Sequence, residues 1–486
     1  MKRLAVAALL LVGLAVPAHG ATTPREQFLH ASHGQVVDES GRTVVLRGVN
    51  VNGLVDYWTP SLAPPYPTGP SAYDHGRCPK DSTVTTAVPL CEADLDQIAA
   101  VGFDVIRLPV SWSLLEPTKG RFDPVPVARI RQVVGWAAKR QIRVVIDLHQ
   151  DAWSKYVYAP KGTVCPPGTT AMDGGDGAPA WASVAVSPAC APGGTRELEP
   201  PVQEAAQRFW DNDNGMQDDY AKVVVDLAKA FQDEPAVAGY ELMNEPQPGF
   251  APAVMDGTEL MAFHGKVVNA VVAAVPRFRQ LFFVEPAGTR NVTGARTFVL
   301  PWSTYSSYPN VVYAPHVYTG VFTADHALLM GAAGDLQTMD SDYGAAVGDA
   351  KALGLPLWVG EFGNDPNDDK AILFDHYRHQ DALAIGGALW VWKEHGRWSA
   401  EATPARTRRI STAYPIATAG TLDSFDSDPF TGKATVTAHS PKGSVSVVAL
   451  PAVFSQRPTV TGGTVRVVGH RAYVTARGGA WTLRLR

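Results

Sequence analysis

Ala238-Gly239-Tyr240-Glu241-Leu242-Met243-Asn244-Glu245-Pro246 opens as an apolar run of strand length and closes on a carboxylate followed by proline. A strand of a parallel sheet, covered on both faces, reads as such a run, and the proline marks its end. Packing gives no reason for an acid at that point. Trp358-Val359-Gly360-Glu361-Phe362-Gly363 repeats the pattern, with its glutamate 116 positions after Glu245.

Outward from these two runs lie six more: Val44–Asn50, Val105–Pro109, Val144–His149, Leu281–Glu285, Val311–His316 and Gly387–Trp392. Segments of helical periodicity such as Val125–Lys139 and Ala221–Gln232 separate them. Eight strand-helix units whose strands mostly end on polar or aromatic residues predict an α/β fold of the (β/α)8 TIM barrel type. A doubly wound sheet would bring a Gly-rich phosphate loop after an early strand, and the sequence has none.

After about Ile410 the pattern changes to short alternating runs, Ser444–Leu450, Thr464–Val468 and Trp481–Leu485, which predict an antiparallel β-sandwich. The expected division is a catalytic barrel over 30–408 and a β-sandwich over 409–486. The sandwich is expected to seal the barrel, a second sugar-binding module being the alternative. The segment 1–21 has a basic start, a short apolar centre and small residues at its end, the pattern of a secretory signal peptide. Its apolar run is short of the ~20 residues that a spanning helix needs. Four cysteines in an exported chain are expected to pair, and their spacing suggests two local loops among the three possible connectivities, Cys78 with Cys91 and Cys165 with Cys190. A net charge of −5 with no basic run excludes nucleic acid and leaves neutral partners.

Paired carboxylates are the minimal equipment for cleaving a glycosidic bond, and a retaining enzyme holds them about 5 to 5.5 Å apart. Strands four and seven face each other across a barrel mouth. Glu245 is expected as acid/base and Glu361 as nucleophile, the first in a site that raises its pKa and the second kept ionised by donors such as Arg107. Glu241 and Glu285 are the competing carboxylates, expected as interior residues tied to an arginine or lysine. Arg107, in a buried strand, needs an anionic neighbour. Residues two apart share a face of an extended strand, so His149 and Asp151 are expected in the mouth, as are His316 and Tyr318, with Tyr318 supporting the nucleophile. Trp390 and Trp392 offer indole faces to a sugar ring. His149, Asp151 and His316 also admit a two-histidine, one-carboxylate metal set, but no third His follows a strand, so no metal or cofactor is expected. Asn291-Val292-Thr293 is read only as a glycosylation sequon.

At these residues the chain resembles glycoside hydrolase family 5. Arg107, His149, Asn244-Glu245-Pro246, His316-Val317-Tyr318, Gly360-Glu361-Phe362-Gly363 and Trp390 occur in family order over about 35–400. Within the family it is similar to secreted actinobacterial endoglycoceramidases, through Asp147–Asp151, Gly177–Ala182 and Tyr414-Pro415. The resemblance implies a glycosphingolipid substrate met at a membrane or micelle surface, and sugar contacts from Asp151, Trp181 and Asn244. The chain departs from those enzymes at Asp56-Tyr57-Trp58, where they tend to carry a lysine, and at Lys393-Glu394. Asp56, Lys393 and Glu394 are therefore the expected determinants of glucose or galactose beside ceramide, the relatives specific for galactose-linked, 6-gala-series ceramides being one model. A soluble polysaccharide of the β-glucan or mannan type is the alternative substrate, and a non-catalytic glycolipid-binding barrel is a further one.

Overall fold

The computed structural model describes residues 26–56, 90–183, 190–191, 197, 199–250, 255–319, 338–363, 370–393, 404–454 and 457–486. The segment 1–21, Cys78 and Glu394 lie outside the described residues.

Three short strands come first, β1 (Leu29–Ser32), β2 (Gln35–Asp38) and β3 (Thr43–Val44). A second sheet begins with β4 (Arg47–Asn50), β5 (Val105–Ser111) and β6 (Arg143–His149). In the long insert that follows, β7 (Thr170–Ala171) pairs with β8 (Cys190–Ala191), and the expected Cys165–Cys190 disulfide ties the two sides together. Cys91 is also disulfide-bonded, its partner lying outside the described residues. The second sheet continues with β9 (Val237–Glu241), β10 (Leu281–Val284), β11 (Val311–Tyr313), β12 (Val359–Phe362) and β13 (Gly387–Leu389). Its order is β11-β10-β9-β6-β5-β4-β13-β12, parallel at every pairing. Parallel bridges from Tyr313 to Leu357 and from Val317 to Phe362 join the two edges. The eight expected strands thus close into a barrel.

Helices cover its outside. In Pro124–Ala138 the Asp123 carboxylate accepts from the Val125 amide at 2.8 Å and Pro124 takes the first helical position, a favourable start. Val127, Ile130, Val133, Val134 and Ala137 then form the apolar stripe that is buried against the strands.

Alternation along the strands divides the interior into layers. On β5, Ile106, Leu108 and Val110 pack outward against the helices, while Val105 packs into the lower core and Arg107 stands two residues above it. Val145 below Asp147, Phe283 below Glu285 and Ala314 below His316 follow the same step. An apolar floor therefore carries a layer of charged side chains.

The C-terminal strands are β14 (Pro415–Thr418), β15 (Thr421–Ser427), β16 (Ala434–Ser440), β17 (Val445–Ala449), β18 (Thr459–Thr461), β19 (Gly463–Val468), β20 (Arg471–Ala476) and β21 (Gly479–Leu485). They form two sheets, β1-β2-β3-β14-β17-β20-β19 and β15-β16-β21-β18. The expected boundary needs correction here. The expected barrel of 30–408 takes in residues 30–44, yet β3 pairs with β14 and adds the N-terminal hairpin to the C-terminal sheet. Val44–Asn50 reads as one strand because both halves are apolar. In the fold it changes partners within Val45-Leu46, where the Val45 amide donates to Ile416 O at 3.2 Å.

The two modules share one core. Leu46, Val105, Phe283, Val312 and Trp358 pack with Tyr414, Val448 and Trp481, which fits the sealing role. At the junction the Tyr414 hydroxyl donates to Asp104 Oδ1 at 2.8 Å, and the Arg47 amide donates to the same oxygen at 3.0 Å. Burial pushes the Asp104 carboxyl from 3.8 up to about 6, against the pull of Arg471 and these donors. The fold binds this proton more tightly than the unfolded chain does. Stability from it is fully present below about pH 4 and is lost as pH rises through about 6. Asp104→Asn keeps an acceptor and removes the charge, so its melting temperature should match wild type near pH 4 and exceed it near pH 8. Thermal melts across that range check this, and a difference that does not vary with pH would refute it.

Candidate active site

Arg107 is the hub of the charged layer. Its Nε donates to Glu241 Oε2 at 2.6 Å, and one terminal nitrogen donates to Glu361 Oε1 at 2.6 Å and to Asn50 Oδ1 at 3.0 Å. The other reaches Asn244 Oδ1 at 2.8 Å, Asp147 Oδ2 at 3.1 Å and Glu285 Oε1 at 3.3 Å. Burial would weaken the guanidinium's hold on its proton, but Asp147 and the three glutamates hold it well above its ordinary range. The planar fork of arginine is what allows one buried cation to serve so many acceptors.

His316, at the end of β11, lies between the two candidate catalytic acids. Its Nδ1 is 2.8 Å from Glu245 Oε1 and 3.7 Å from Glu361 Oε2, and its Nε2 is 3.1 Å from Glu285 Oε1. Oxygens of Glu245 and Glu361 lie within 4.8 Å of each other. Tyr318 donates its hydroxyl to Glu361 Oε2 at 2.6 Å, so both oxygens of Glu361 are held. The Glu245 side chain is 22% exposed against 6% for Glu361, so the pair has an open side and a closed side.

The turn that presents Glu245 is strained and heavily braced. Its φ of +40° lies in the left-handed region, which residues with a Cβ rarely adopt. Gln150 and Gln247 donate their side-chain amides to the Glu245 carbonyl at 2.9 and 3.0 Å, and the Glu245 amide donates to Glu285 Oε2 at 3.1 Å. Glu285 thus supports the turn as well as the charged layer.

Burial and the neighbouring Glu241 push the Glu285 carboxyl well above its ordinary value, against the pull of His316. Burial would also raise Glu241, but Arg107 outweighs it and holds that carboxyl low. Burial would deprotonate His316, yet Glu285 and Glu361 keep it charged well above the usual imidazole range. The expected donors to Glu361 are present, but burial outweighs His316 and Arg107, with Glu245 adding to it, and its carboxyl is raised.

A model of the family described as cellulase (glycosyl hydrolase family 5) matches residues 82–396, more than half of the chain. The chain belongs to glycosyl hydrolase family 5. Endoglycoceramidase I of Rhodococcus hoagii (strain 103S) is 27% identical over 408 residues, which are 81% of this chain and 73% of that one. A crystal structure of an endogalactoceramidase superposes with a TM-score of 0.78 at 29% identity, over 95% of this chain and 100% of the other. Endo-glycoceramidase II from Rhodococcus sp., in a complex with ganglioside GM3, superposes with a TM-score of 0.74 at 24% identity, over 93% and 99%.

Other expected site residues of this family 5 chain fall into two groups. His149 Nδ1 is 2.6 Å from Asp147 Oδ2, its Nε2 is 3.8 Å from Asp151 Oδ2, and its ring stacks on Trp390 at 5.7 Å. These three line the same mouth. Asn244 is also there, but its amide is engaged by Arg107 and by the Gln150 carbonyl, at 2.8 and 2.9 Å. Among the described residues, His149 groups with Asp151 and Asp176 while His316 groups with glutamates, so the two-histidine metal set does not converge.

The second group is held by partners other than Glu245 and Glu361. Trp181 packs edge-on against Trp112 at 5.1 Å and donates to the Glu116 carbonyl at 3.0 Å, placing it on the wall above β5. Lys393 does not face the mouth: its Nζ binds Asp94 Oδ1 at 3.1 Å, and Trp392 donates to the same oxygen at 3.3 Å. Both are thus bound to helix Glu92–Val101, and the expected roles of Lys393 in specificity and of Trp392 in stacking are corrected to anchoring that helix. Asp56 is buried, accepting from Ser113 at 2.7 Å and pairing with Lys155 at 2.8 Å. Lys155 comes from the long insert and was not anticipated.

Asn291 was also missed. Its side-chain amide donates to Glu245 Oε1 at 2.6 Å and the residue is buried. An oligosaccharide on this sequon would occupy the space of that contact. The signal in the sequence was only its position, six residues after a strand-end glutamate.

Proposed function

We propose that the chain is a secreted, retaining endo-β-glycosidase that cleaves glycosphingolipids between oligosaccharide and ceramide, with Glu245 as acid/base and Glu361 as nucleophile. The observation that carries the mechanism is the separation of at most 4.8 Å between oxygens of the two carboxylates, which suits direct attack and leaves no room for the water of an inverting enzyme. Glu361 bonds to the anomeric carbon as Glu245 protonates the leaving oxygen. Water, deprotonated by Glu245, then releases the sugar with its configuration retained. Arg107, Tyr318 and His316 orient the nucleophile, and His149, Asp151 and Trp390 bind the sugar.

The lipid part of the reading is supported by the likeness to an endoglycoceramidase and an endogalactoceramidase. Exposed rings support it too. Phe250 follows the Glu245 turn, and Phe298 packs beside Gly257, whose neighbour Asp256 accepts from the Ala287 amide just past β10. Both phenylalanines present apolar surface near the mouth to a membrane or micelle. The leader pattern of 1–21 and the Cys165–Cys190 disulfide support export. Purified protein incubated with fluorescent-ceramide glycolipids, glucosyl- and galactosyl-linked, should release labelled ceramide and intact oligosaccharide in the β configuration. Cleavage of soluble β-glucan without ceramide release would overturn the lipid assignment.

A further inference from the structure

Oε1 of Glu245 faces two donors, the Asn291 side-chain amide at 2.6 Å and, with the imidazole held charged by Glu285 and Glu361, His316 Nδ1 at 2.8 Å. A carboxyl oxygen has two acceptor sites, and both are taken. The proton that Glu245 carries as an acid is then left to Oε2. Asn291 is held in place for this by its own backbone. Helix Thr289–Thr293 begins directly after Gly288, whose amide donates to the Pro246 carbonyl at 2.9 Å. A Cβ at Gly288 would lie 3.0 Å from the Glu245 carbonyl oxygen, so the two turns are in close contact. The Asn291 backbone N–H in turn donates to Gly288 O at 3.1 Å.

We infer that Asn291 is a positioning residue for the general acid: it fixes the Glu245 carboxyl and directs its proton to Oε2, toward the leaving oxygen. This rests on the reading of Glu245 as acid/base. In the first step the bond between anomeric carbon and aglycone oxygen breaks with its electron pair on oxygen, which takes the proton from Oε2, while Glu361 forms the new bond. In the second, water gives its proton to Oε2 and its oxygen displaces Glu361.

The test compares leaving groups. A glycolipid leaves as an alkoxide and needs the acid, whereas a 2,4-dinitrophenyl glycoside of the same sugar does not, and azide replaces water without needing a base. Asn291→Ala and Asn291→Asp, the second keeping the shape but replacing the donor with an acceptor, should each lower kcat/KM on glycolipid roughly ten- to a hundredfold. On the dinitrophenyl glycoside with azide, both should stay within about threefold of wild type, a result that also shows the variants fold. Equal losses on both substrates, or wild-type behaviour of Asn291→Asp on glycolipid, would overturn the inference. Glu245→Gln, measured alongside, should show the same leaving-group dependence more strongly. If it does not, the assignment of Glu245 fails and the role of Asn291 falls with it.

Discussion

Glu361→Ala lowers turnover of glycosphingolipid by roughly 10⁴-fold or more, the scale expected when a nucleophile is removed from a set of groups that act together. The substitution removes an atom that no neighbour replaces. Glu241 and Glu285 are near, but Glu241 is bound to Arg107 Nε at 2.6 Å, and Glu285 holds the Glu245 amide and faces His316. Neither can turn toward a sugar without giving up the brace of the Glu245 turn or the hub. The fold should survive, because Arg107 keeps Glu241, Asp147, Asn50 and Asn244. Azide should restore part of the rate and yield a glycosyl azide of inverted configuration, since the small anion enters the space of the missing carboxylate. Product configuration by NMR checks the assignment. Rescue seen with a Glu285 variant instead would move the nucleophile to Glu285.

Arg107→Met destabilises the protein by about 3–5 kcal/mol at neutral pH, the range for removing one partner of a buried ion pair. Three buried carboxylates would lose a donor within 3.1 Å. The effect should depend on pH. In wild type the guanidinium helps hold Glu241 below the ordinary carboxylate range. Without it the acids bind protons in the folded state, so the deficit is largest above neutral pH and shrinks as pH falls and the acids are neutralised. Denaturant midpoints at pH 5 and pH 8 measure this. Equal deficits at the two values would show that lost packing, not charge, is responsible. Arg107→Lys should recover little, because an ammonium cannot serve acceptors on several sides of a planar fork.

The eight strands and the two glutamates were legible because burial leaves a plain mark on sequence. Parallel strands covered on both faces are apolar throughout, so an acid where one stops stands out. Arg107, His149, His316 and Tyr318 were legible for the same reason, through the two-residue step that aims them inward. Lys393 misled because it continues a strand whose end faces the mouth, while its long side chain turns to Asp94 in a helix that precedes β5. Asn291 lies in a one-turn helix after β10, and no periodicity tells where such a side chain points. The N-terminal hairpin was placed with the barrel because apolar alternation does not say which strand it will pair with.

By itself the sequence determined the barrel, the order of its strands along the chain and the acids at the ends of the fourth and seventh, since these depend on local pattern and on one rule, that residues two apart share a face. The tertiary structure alone decided which groups meet: Arg107 shared among four carboxylates, Asn291 and His316 on one oxygen of Glu245, Lys155 on Asp56 and β3 beside β14. Those contacts join residues from about 40 to more than 370 positions apart, and each is made only when the barrel closes and the loops pack over its mouth.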